Sequence, residues 1–238
     1  LGMTAMAVPS RAEGDHLSEY ILLLGLMAAT SGKIAREIYT LQKQEFGELE
    51  EPTPEGSVGS STMPQKRNPF MAQDIVALRS EIRMQVPPAL EAMQTEHEAD
   101  RATSLQIRQA TERACVATGD MLARMNIIIK GLTVKPTRMR ENLDLTNGLI
   151  MAEPIMLALG SNIGRQLAHD IVYDAAQAAA LGKGRFVDLL AGDQRISSAI
   201  SKQDLEKLLN PLNYVGLSPE LARRAALSAR KTAAQLKN

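Results

Sequence analysis

Three long stretches of this sequence carry apolar residues at intervals of three and four positions, and no other feature constrains the fold as strongly. The stretches run from about 10 to 46, from 69 to 86 and from about 98 to 132. Such spacing places the apolar side chains on one face of an α-helix. The usual helix of a globular protein has about 11–12 residues, and each of these patterns is longer. The sequence therefore predicts an all-α fold with a long central helical bundle.

The remainder of the chain also has helical spacing, but in shorter pieces. After Pro136, glycines and prolines separate six such stretches, at 138–145, 151–159, 162–180, 186–190, 198–208 and 219–236. Aromatic residues make up only 3% of the chain, so Leu, Ala, Ile and Met must fill the core. No alternation typical of a β-strand reaches a useful length. We expect a bundle domain over 1–134, interrupted by a loop at 47–69, and a small all-helical C-terminal domain over 135–238.

The charge and the cysteine content narrow the range of functions. Lys and Arg together number 27, as do Asp and Glu, so no overall field attracts nucleic acid or an anionic membrane. The most apolar run, at 20–29, is far shorter than the roughly 20 residues that cross a bilayer. The single cysteine, Cys115, excludes an internal disulfide, and the three histidines lack the spacing of metal ligands. We expect a cytoplasmic protein that needs no metal or cofactor and binds neither nucleic acid nor a membrane.

The loop at 47–69 ends in a segment with too few apolar residues to belong to the core. Residues 59–69 read Gly-Ser-Ser-Thr-Met-Pro-Gln-Lys-Arg-Asn-Pro. Hydroxyl groups, backbone N–H groups and the ammonium group of Lys66 can bind an anion there, next to the positive end of the helix that begins near Asn68. The chemistry predicts a site for a carboxylate or a phosphate. A solvated loop between two helices explains the same composition equally well.

Two helix starts carry capping signals. Ser10 and Glu13 have the spacing of a capping box for the first helix. Asn68 followed by Pro69 matches an N-cap residue with proline at the first helical position of the second helix. Asn68 could instead donate to a ligand, and the sequence favours the capping role.

The segment at 59–69 resembles the signature loop of the fumarase/aspartase superfamily. The segments at 32–38, 47–52 and 210–220 extend this resemblance to adenylosuccinate lyases and 3-carboxy-cis,cis-muconate lactonizing enzymes. It implies a homotetramer around a central helical bundle, in which three subunits contribute to each active site. Members of the superfamily make or break a bond beta to a carboxylate, and most release fumarate. A small-molecule carboxylate is thus the implied substrate.

The resemblance also implies a role for individual residues. Ser60 matches the catalytic base, which removes the proton alpha to a carboxylate and leaves an aci-carboxylate dianion. Lys66 and Asn68 match the residues that bind and stabilise that dianion. The neighbouring loop residues Ser61, Thr62 and Met63 are expected to bind the substrate. Arg108, with Ser104 nearby, is a possible phosphate ligand.

The sequence departs from the superfamily pattern at three places. Gln73 stands where most members have Glu, and Gln65 stands where adenylosuccinate lyases often have His. The residues at 12–15 lack the arginines that adenylosuccinate lyases carry just before the position of His16. These departures weaken the case for recognition of a nucleotide phosphate and favour a muconate cycloisomerase, which adds a carboxylate oxygen to a double bond.

Two other interpretations stay open. One is a C–N lyase of the adenylosuccinate type that releases fumarate. The other is a non-catalytic helical scaffold, which Gln73 favours slightly, whereas Ser60, Lys66 and Asn68 together favour an enzyme. The motifs that carry the general acid normally precede this part of such chains. We therefore expect the sequence to be the C-terminal two thirds of a subunit.

Overall fold

The computed structural model describes residues 4–6, 10–53, 56, 62–63 and 66–236. The chain divides into two compact units, Leu1–Met139 and Arg140–Asn238. Its described residues form α-helices joined by loops, with two strands of two residues each. The predicted all-α class is confirmed.

The first unit is a bundle of long helices, whose bounds are α1 Asp15–Leu41, α2 Phe70–Arg83, α3 Val86–Glu91 and α4 Arg101–Gly131. With 27 and 31 residues, α1 and α4 are roughly 40 and 46 Å long. Its core consists of aliphatic side chains shielded from solvent, among them Ile21, Ile75, Met121 and Ile128. Strand β1, Leu49–Glu50, pairs antiparallel with β2, Thr133–Val134. The sequence did not predict these strands because two residues are too few to show alternation.

The helices of the second unit are all shorter than α1 and α4. The remaining elements are α5 Pro136–Asp144, a 3₁₀ turn Leu149–Met151, α6 Ala152–Ile163, α7 Arg165–Ala180, α8 Phe186–Gly192, α9 Gln194–Ala199, α10 Lys202–Leu208, a 3₁₀ turn Pro211–Asn213 and α11 Ser218–Gln235. Helix α5 begins in the first unit and ends in the second. The core of this unit gathers Ile155, Leu159, Ile171, Phe186 and Leu190. Helix α11 has no buried residue.

Two patterns that read as single helices are each broken into two. The pattern at 162–180 is interrupted at Gly164, whose φ of 87° is accessible mainly to glycine. The pattern at 198–208 splits into α9 and α10 because Ile200 is extended and Ser201 caps the second helix. The Ser201 Oγ accepts from the backbone N–H of Asp204 at 3.1 Å.

The capping box expected at Ser10 and Glu13 is wrong. Helix α1 begins at Asp15 after Gly14, without a side-chain cap, and the Ser10 Oγ accepts from Ala12 N instead. The helix also ends earlier than expected, at Leu41. The carbonyl of Leu41 accepts from Glu48 N at 2.9 Å, because the chain turns back there and enters β1.

The predicted N-cap role of Asn68 is wrong as well. Helix α2 begins at Phe70, and Pro69 occupies the N-cap position without a side-chain hydrogen bond. The carboxylate of Glu51 caps the helix instead, accepting from Met71 N at 3.1 Å and from Ala72 N at 3.0 Å. An acid from 20 residues earlier in the chain therefore satisfies the backbone groups that Asn68 was expected to satisfy.

No single helix in the described ranges has the length and hydropathy needed to cross a membrane. Helix α5 and the segment Leu149–Ile163 meet that criterion only as a pair, and the pair is bent by 80°. The apolar side chains of Met151, Ile155 and Leu159 in this pair lie in the core of the second unit.

Candidate active site

A groove of about 900 Å³ lies in the first unit, between the end of α1 and the start of α2. One wall consists of Tyr39, Gln42, Lys43, Gln44 and Glu45, and the other of Met63, Lys66, Arg67, Asn68, Pro69 and Gln73. Among the described residues, three cationic side chains thus line the groove, against one carboxylate, that of Glu45. This excess of positive charge suits an anionic small molecule.

Local structure places the cations on both walls. The ammonium group of Lys43 lies 5.3 Å from the centre of the Tyr39 ring, a distance typical of a cation–π contact. Opposite, Lys66 N donates to Met63 O at 3.0 Å, and this turn leads into Arg67 and Asn68. Lys66 and Arg67 are exposed, and Asn68 is partly buried.

The start of α2 contributes less to anion binding than the sequence predicted. The N–H groups of Met71 and Ala72 would point at an anion if they were free, but both donate to the Glu51 carboxylate. That carboxylate also places a negative charge at the positive end of the helix. The positive charge of the groove therefore comes from its side chains rather than from the end of α2.

Glu51 connects the two walls, and sequence reasoning missed this role. Only 6% of the residue is exposed, and its backbone N–H donates to the Gln42 Oε1 at 2.9 Å. Burial raises the pKa of the Glu51 carboxyl group, and the hydrogen bonds from Ala72 and Met71 oppose this effect. In the sequence Glu51 is one member of an acidic run that reads as a solvated loop, so no local signal separates it from Glu48 or Glu50.

The structure gathers some of the predicted site residues and not others. Met63, Lys66 and Asn68 all line the groove. Thr62 is exposed and is not part of the groove wall. Ser60 and Ser61 lie outside the described residues, so their predicted roles stay predictions.

Arg108 lies in a different cavity, of about 560 Å³, near the beginning of α1. Ser10, Arg11, His16, Ser104 and Thr111 also line this cavity. Along α1, residues 17 and 39 are separated by roughly 33 Å. Within one chain, Arg108 and Lys66 therefore belong to two sites at opposite ends of the bundle.

Two family models match parts of the chain. Residues 3–83 match the model described as Lyase, and residues 148–225 match the model described as adenylosuccinate lyase C-terminus. The structure is similar to the 3-carboxy-cis,cis-muconate lactonizing enzyme from Pseudomonas putida, with a TM-score of 0.88 and 29% sequence identity, over 96% of this chain and 50% of that one. The chain belongs to the fumarase/aspartase superfamily.

Named relatives in the fumarase/aspartase superfamily act on different substrates. The N-acetyl-S-(2-succino)cysteine lyase from Enterococcus italicus is 34% identical over 217 residues, which cover 91% of this chain and 48% of the relative. The adenylosuccinate lyase from Methanocaldococcus jannaschii is 35% identical over 224 residues, which cover 93% and 48% respectively. Near-equal identity to enzymes with different substrates does not select one of them.

The chain spans about half the length of these superfamily members and corresponds to their C-terminal part. The chain therefore corresponds to a smaller fraction of a subunit than the two thirds that the sequence led us to expect.

Proposed function

We propose that the protein containing this chain is an enzyme that adds or removes a group beta to a carboxylate. The groove between α1 and α2 supports this proposal, because its described wall brings Lys43, Lys66 and Arg67 together with one acid, Glu45. Membership of the superfamily supplies the reaction class.

In the proposed reaction, the deprotonated oxygen of Ser60 takes the proton from the carbon alpha to a carboxylate. The electron pair of that C–H bond moves into the carboxylate, which becomes an aci-carboxylate dianion. Lys66 and Asn68 stabilise the added negative charge, which is larger in the transition state than in the bound substrate. The pair then forms a carbon–carbon double bond as the group on the beta carbon leaves. Cycloisomerisation follows the same path in reverse, with a carboxylate oxygen as the group that adds.

The proposed assembly is a homotetramer whose subunits share their active sites. Large apolar side chains are exposed on the bundle helices, including Leu23 at 56%, Leu26 at 61% and Val116 at 70%. A second copy of the chain would bury these faces. Within a single chain, the groove and the Arg108 cavity are far apart. If subunits share their active sites, the groove of one chain can meet the Arg108 cavity of another. A cytoplasmic location stays a prediction.

A 3-carboxy-cis,cis-muconate cycloisomerase is the first candidate for the specific activity. Gln73 lines the groove in place of the usual Glu, and Gln65 stands where adenylosuccinate lyases often have His. The similarity to the Pseudomonas putida enzyme supports this choice.

A C–N lyase of the adenylosuccinate type is the second candidate, and the cavity around Arg108 favours it. The guanidinium groups of Arg11 and Arg108 line that cavity together with the Ser10 hydroxyl group, and the carboxylates of Glu13 and Glu112 line it as well. The two guanidinium groups suit a phosphate group.

The test is a substrate panel with the full-length protein. It contains 3-carboxy-cis,cis-muconate, adenylosuccinate and N-acetyl-S-(2-succino)cysteine, with product formation followed by NMR. We expect turnover of one member and its loss in Lys66→Met. If no member is turned over by a correctly assembled protein, the non-catalytic scaffold becomes the better interpretation.

A further inference from the structure

Glu51 lies at the junction of the two walls of the groove and touches both. Its backbone N–H donates to the side chain of Gln42, which belongs to the α1 wall. Its carboxylate accepts from the N–H groups of Met71 and Ala72, just after the segment that carries Lys66 to Pro69. Glu51 therefore links the two walls through its backbone and through its side chain.

The strand β1, which ends just before Glu51, is itself held firmly. Glu50 pairs with Lys135 at 2.6 Å, and Lys135 N donates to Glu48 O at 2.9 Å. The next residue, Pro52, packs so closely on Gly131 that a Cβ there would lie 2.7 Å from the Pro52 Cβ. The cap on α2 is therefore anchored to α1 on one side and to the end of α4 on the other.

Burial of a charged acid at this cap opposes folding, and a neutral capping side chain would avoid that loss of stability. A carboxylate loses hydration when it is buried, and burial is the main reason that the Glu51 pKa is raised. Asn68 stands next to the N-cap position and has a side chain suited to that role. It lines the groove instead, because Glu51 already satisfies the first N–H groups of α2.

We propose that Glu51 is the positioning residue of the groove. Its carboxylate holds the start of α2 against the end of α1, which sets the places of Lys66 and Asn68 in the groove wall. The effect on turnover rests on the proposed function, whereas the effect on the position of residues 66–69 does not.

The experiment compares Glu51→Ala, which removes both acceptor oxygens, with Glu51→Gln, which keeps one. Glu50→Gln is the matched control, because it removes a partly exposed ion pair of the neighbouring residue and leaves the cap intact. All three are made in the full-length protein. The measurements are the rate of tryptic cleavage after Lys66 and Arg67, the melting temperature, and kcat and KM on the panel substrate that is turned over.

We expect Glu51→Ala to accelerate cleavage after Lys66 and Arg67 and to lower kcat/KM by roughly 100-fold, the effect of a displacement of about 1 Å. This loss of kcat/KM should be measurable far below the melting temperature of the variant. It should appear mainly as a lower kcat, since Lys66 acts most strongly in the transition state. Glu51→Gln should recover about tenfold of this loss, because a neutral amide oxygen accepts a weaker hydrogen bond than a carboxylate. Glu50→Gln should stay within about twofold of wild type.

Unchanged tryptic cleavage in a folded Glu51→Ala protein would overturn the proposal, and so would faster cleavage with kcat and KM unchanged. If Glu51→Ala does not fold, Glu51→Gln decides by the same criteria. If no panel substrate is turned over, the proposed function has failed, and the cleavage rates alone decide whether Glu51 positions residues 66–69.

Discussion

The carboxyl group of Glu51 is unusual at the scale of single residues, because folding makes it harder to ionise. Burial raises its pKa above the ordinary value of 4.5, and the charge of Asp74 acts in the same direction. Such a group stabilises the folded state fully only below its unfolded-state pKa, and that contribution is lost as the pH rises through the folded-state pKa. As the pH rises, the wild-type protein should therefore lose stability relative to a variant that has no ionisable group at position 51.

We expect the melting temperature of Glu51→Gln, minus that of wild type, to increase between about pH 4 and pH 7. Glutamine has the shape of glutamate but stays neutral across this range. Thermal unfolding followed by circular dichroism at several pH values measures the difference. A difference that stays constant or decreases with pH would show that ionisation of Glu51 does not oppose folding.

The proposed catalytic residues give a second prediction at this scale. Ser60→Ala should remove nearly all turnover and leave folding and assembly intact, because it deletes the base. Ser61→Ala should be milder, since the second hydroxyl can only orient the substrate or the loop. Lys66→Met should lower kcat/KM by about 10²–10³-fold, as expected for the loss of a charge that stabilises the transition state.

On a solvated loop, all three changes would shift the free energy of unfolding by less than about 0.5 kcal/mol and leave activity alone. Steady-state kinetics and melting temperatures of the three variants distinguish these cases. Activity of Ser60→Ala close to that of wild type would end its assignment as the base.

At the scale of helices and strands, the end of α4 packs against Pro52, near the beginning of the loop at 47–69. Gly131 is the last residue of α4, and a Cβ at this position would lie 2.7 Å from the Pro52 Cβ and 2.8 Å from its Cγ. Gly131→Ala should destabilise the protein by about 1–3 kcal/mol, because the proline ring has little freedom to move away.

Gly192, the last residue of α8, offers a matched control, since nothing lies within 4 Å of a Cβ built on it. Gly192→Ala should stabilise by about 0.4–1 kcal/mol through the unfolded state. Urea unfolding of both variants tests the pair, and equal effects would mean that the contact with Pro52 does not matter.

Helix α9 depends on Asp193 for its start. The Asp193 Oδ1 accepts from Arg195 N at 2.8 Å, and the Arg195 guanidinium group lowers the pKa of Asp193. Asp193→Ala should cost about 1 kcal/mol in the free energy of unfolding, whereas Asp193→Asn, which can still cap, should cost less.

The contribution of Asp193 is present above its ordinary pKa of 3.8 and is lost as the pH falls below it. Urea titrations at neutral and acidic pH should therefore show the difference between wild type and Asp193→Ala shrinking in acid.

At the scale of the whole molecule, the exposed apolar faces of the bundle predict self-association. Leu26 is 61% exposed on α1, and Leu181, after the end of α7 in the other unit, is 70% exposed. If a second copy covers the bundle, Leu26→Glu should reduce the size of the assembly, because it would bury a charge without a partner. Leu181→Glu is the control and should leave the assembly unchanged. Light scattering coupled to size-exclusion chromatography provides the measurement, and a wild-type monomer at micromolar concentration would contradict the tetramer.

Sequence alone determined the helical class, the long bundle and the superfamily. Apolar periodicity is a local property, so α1 and α4 can be recognised without knowing what they pack against. The segment at 59–69 is long and specific, which let it indicate the superfamily from eleven consecutive residues. Lys66 and Asn68 were found in the same way, as members of that segment.

Tertiary structure decided how the site is built. Asn68 reads as a cap by its local sequence, but Glu51 takes that role from 20 residues away, and hydrogen bonds at such a distance leave no pattern in the sequence. Within one chain, Arg108 and Lys66 lie at opposite ends of the bundle, and the local sequence around neither residue shows this separation. Periodicity sets which side of a helix is buried, whereas the contacts between distant segments set which polar side chains meet.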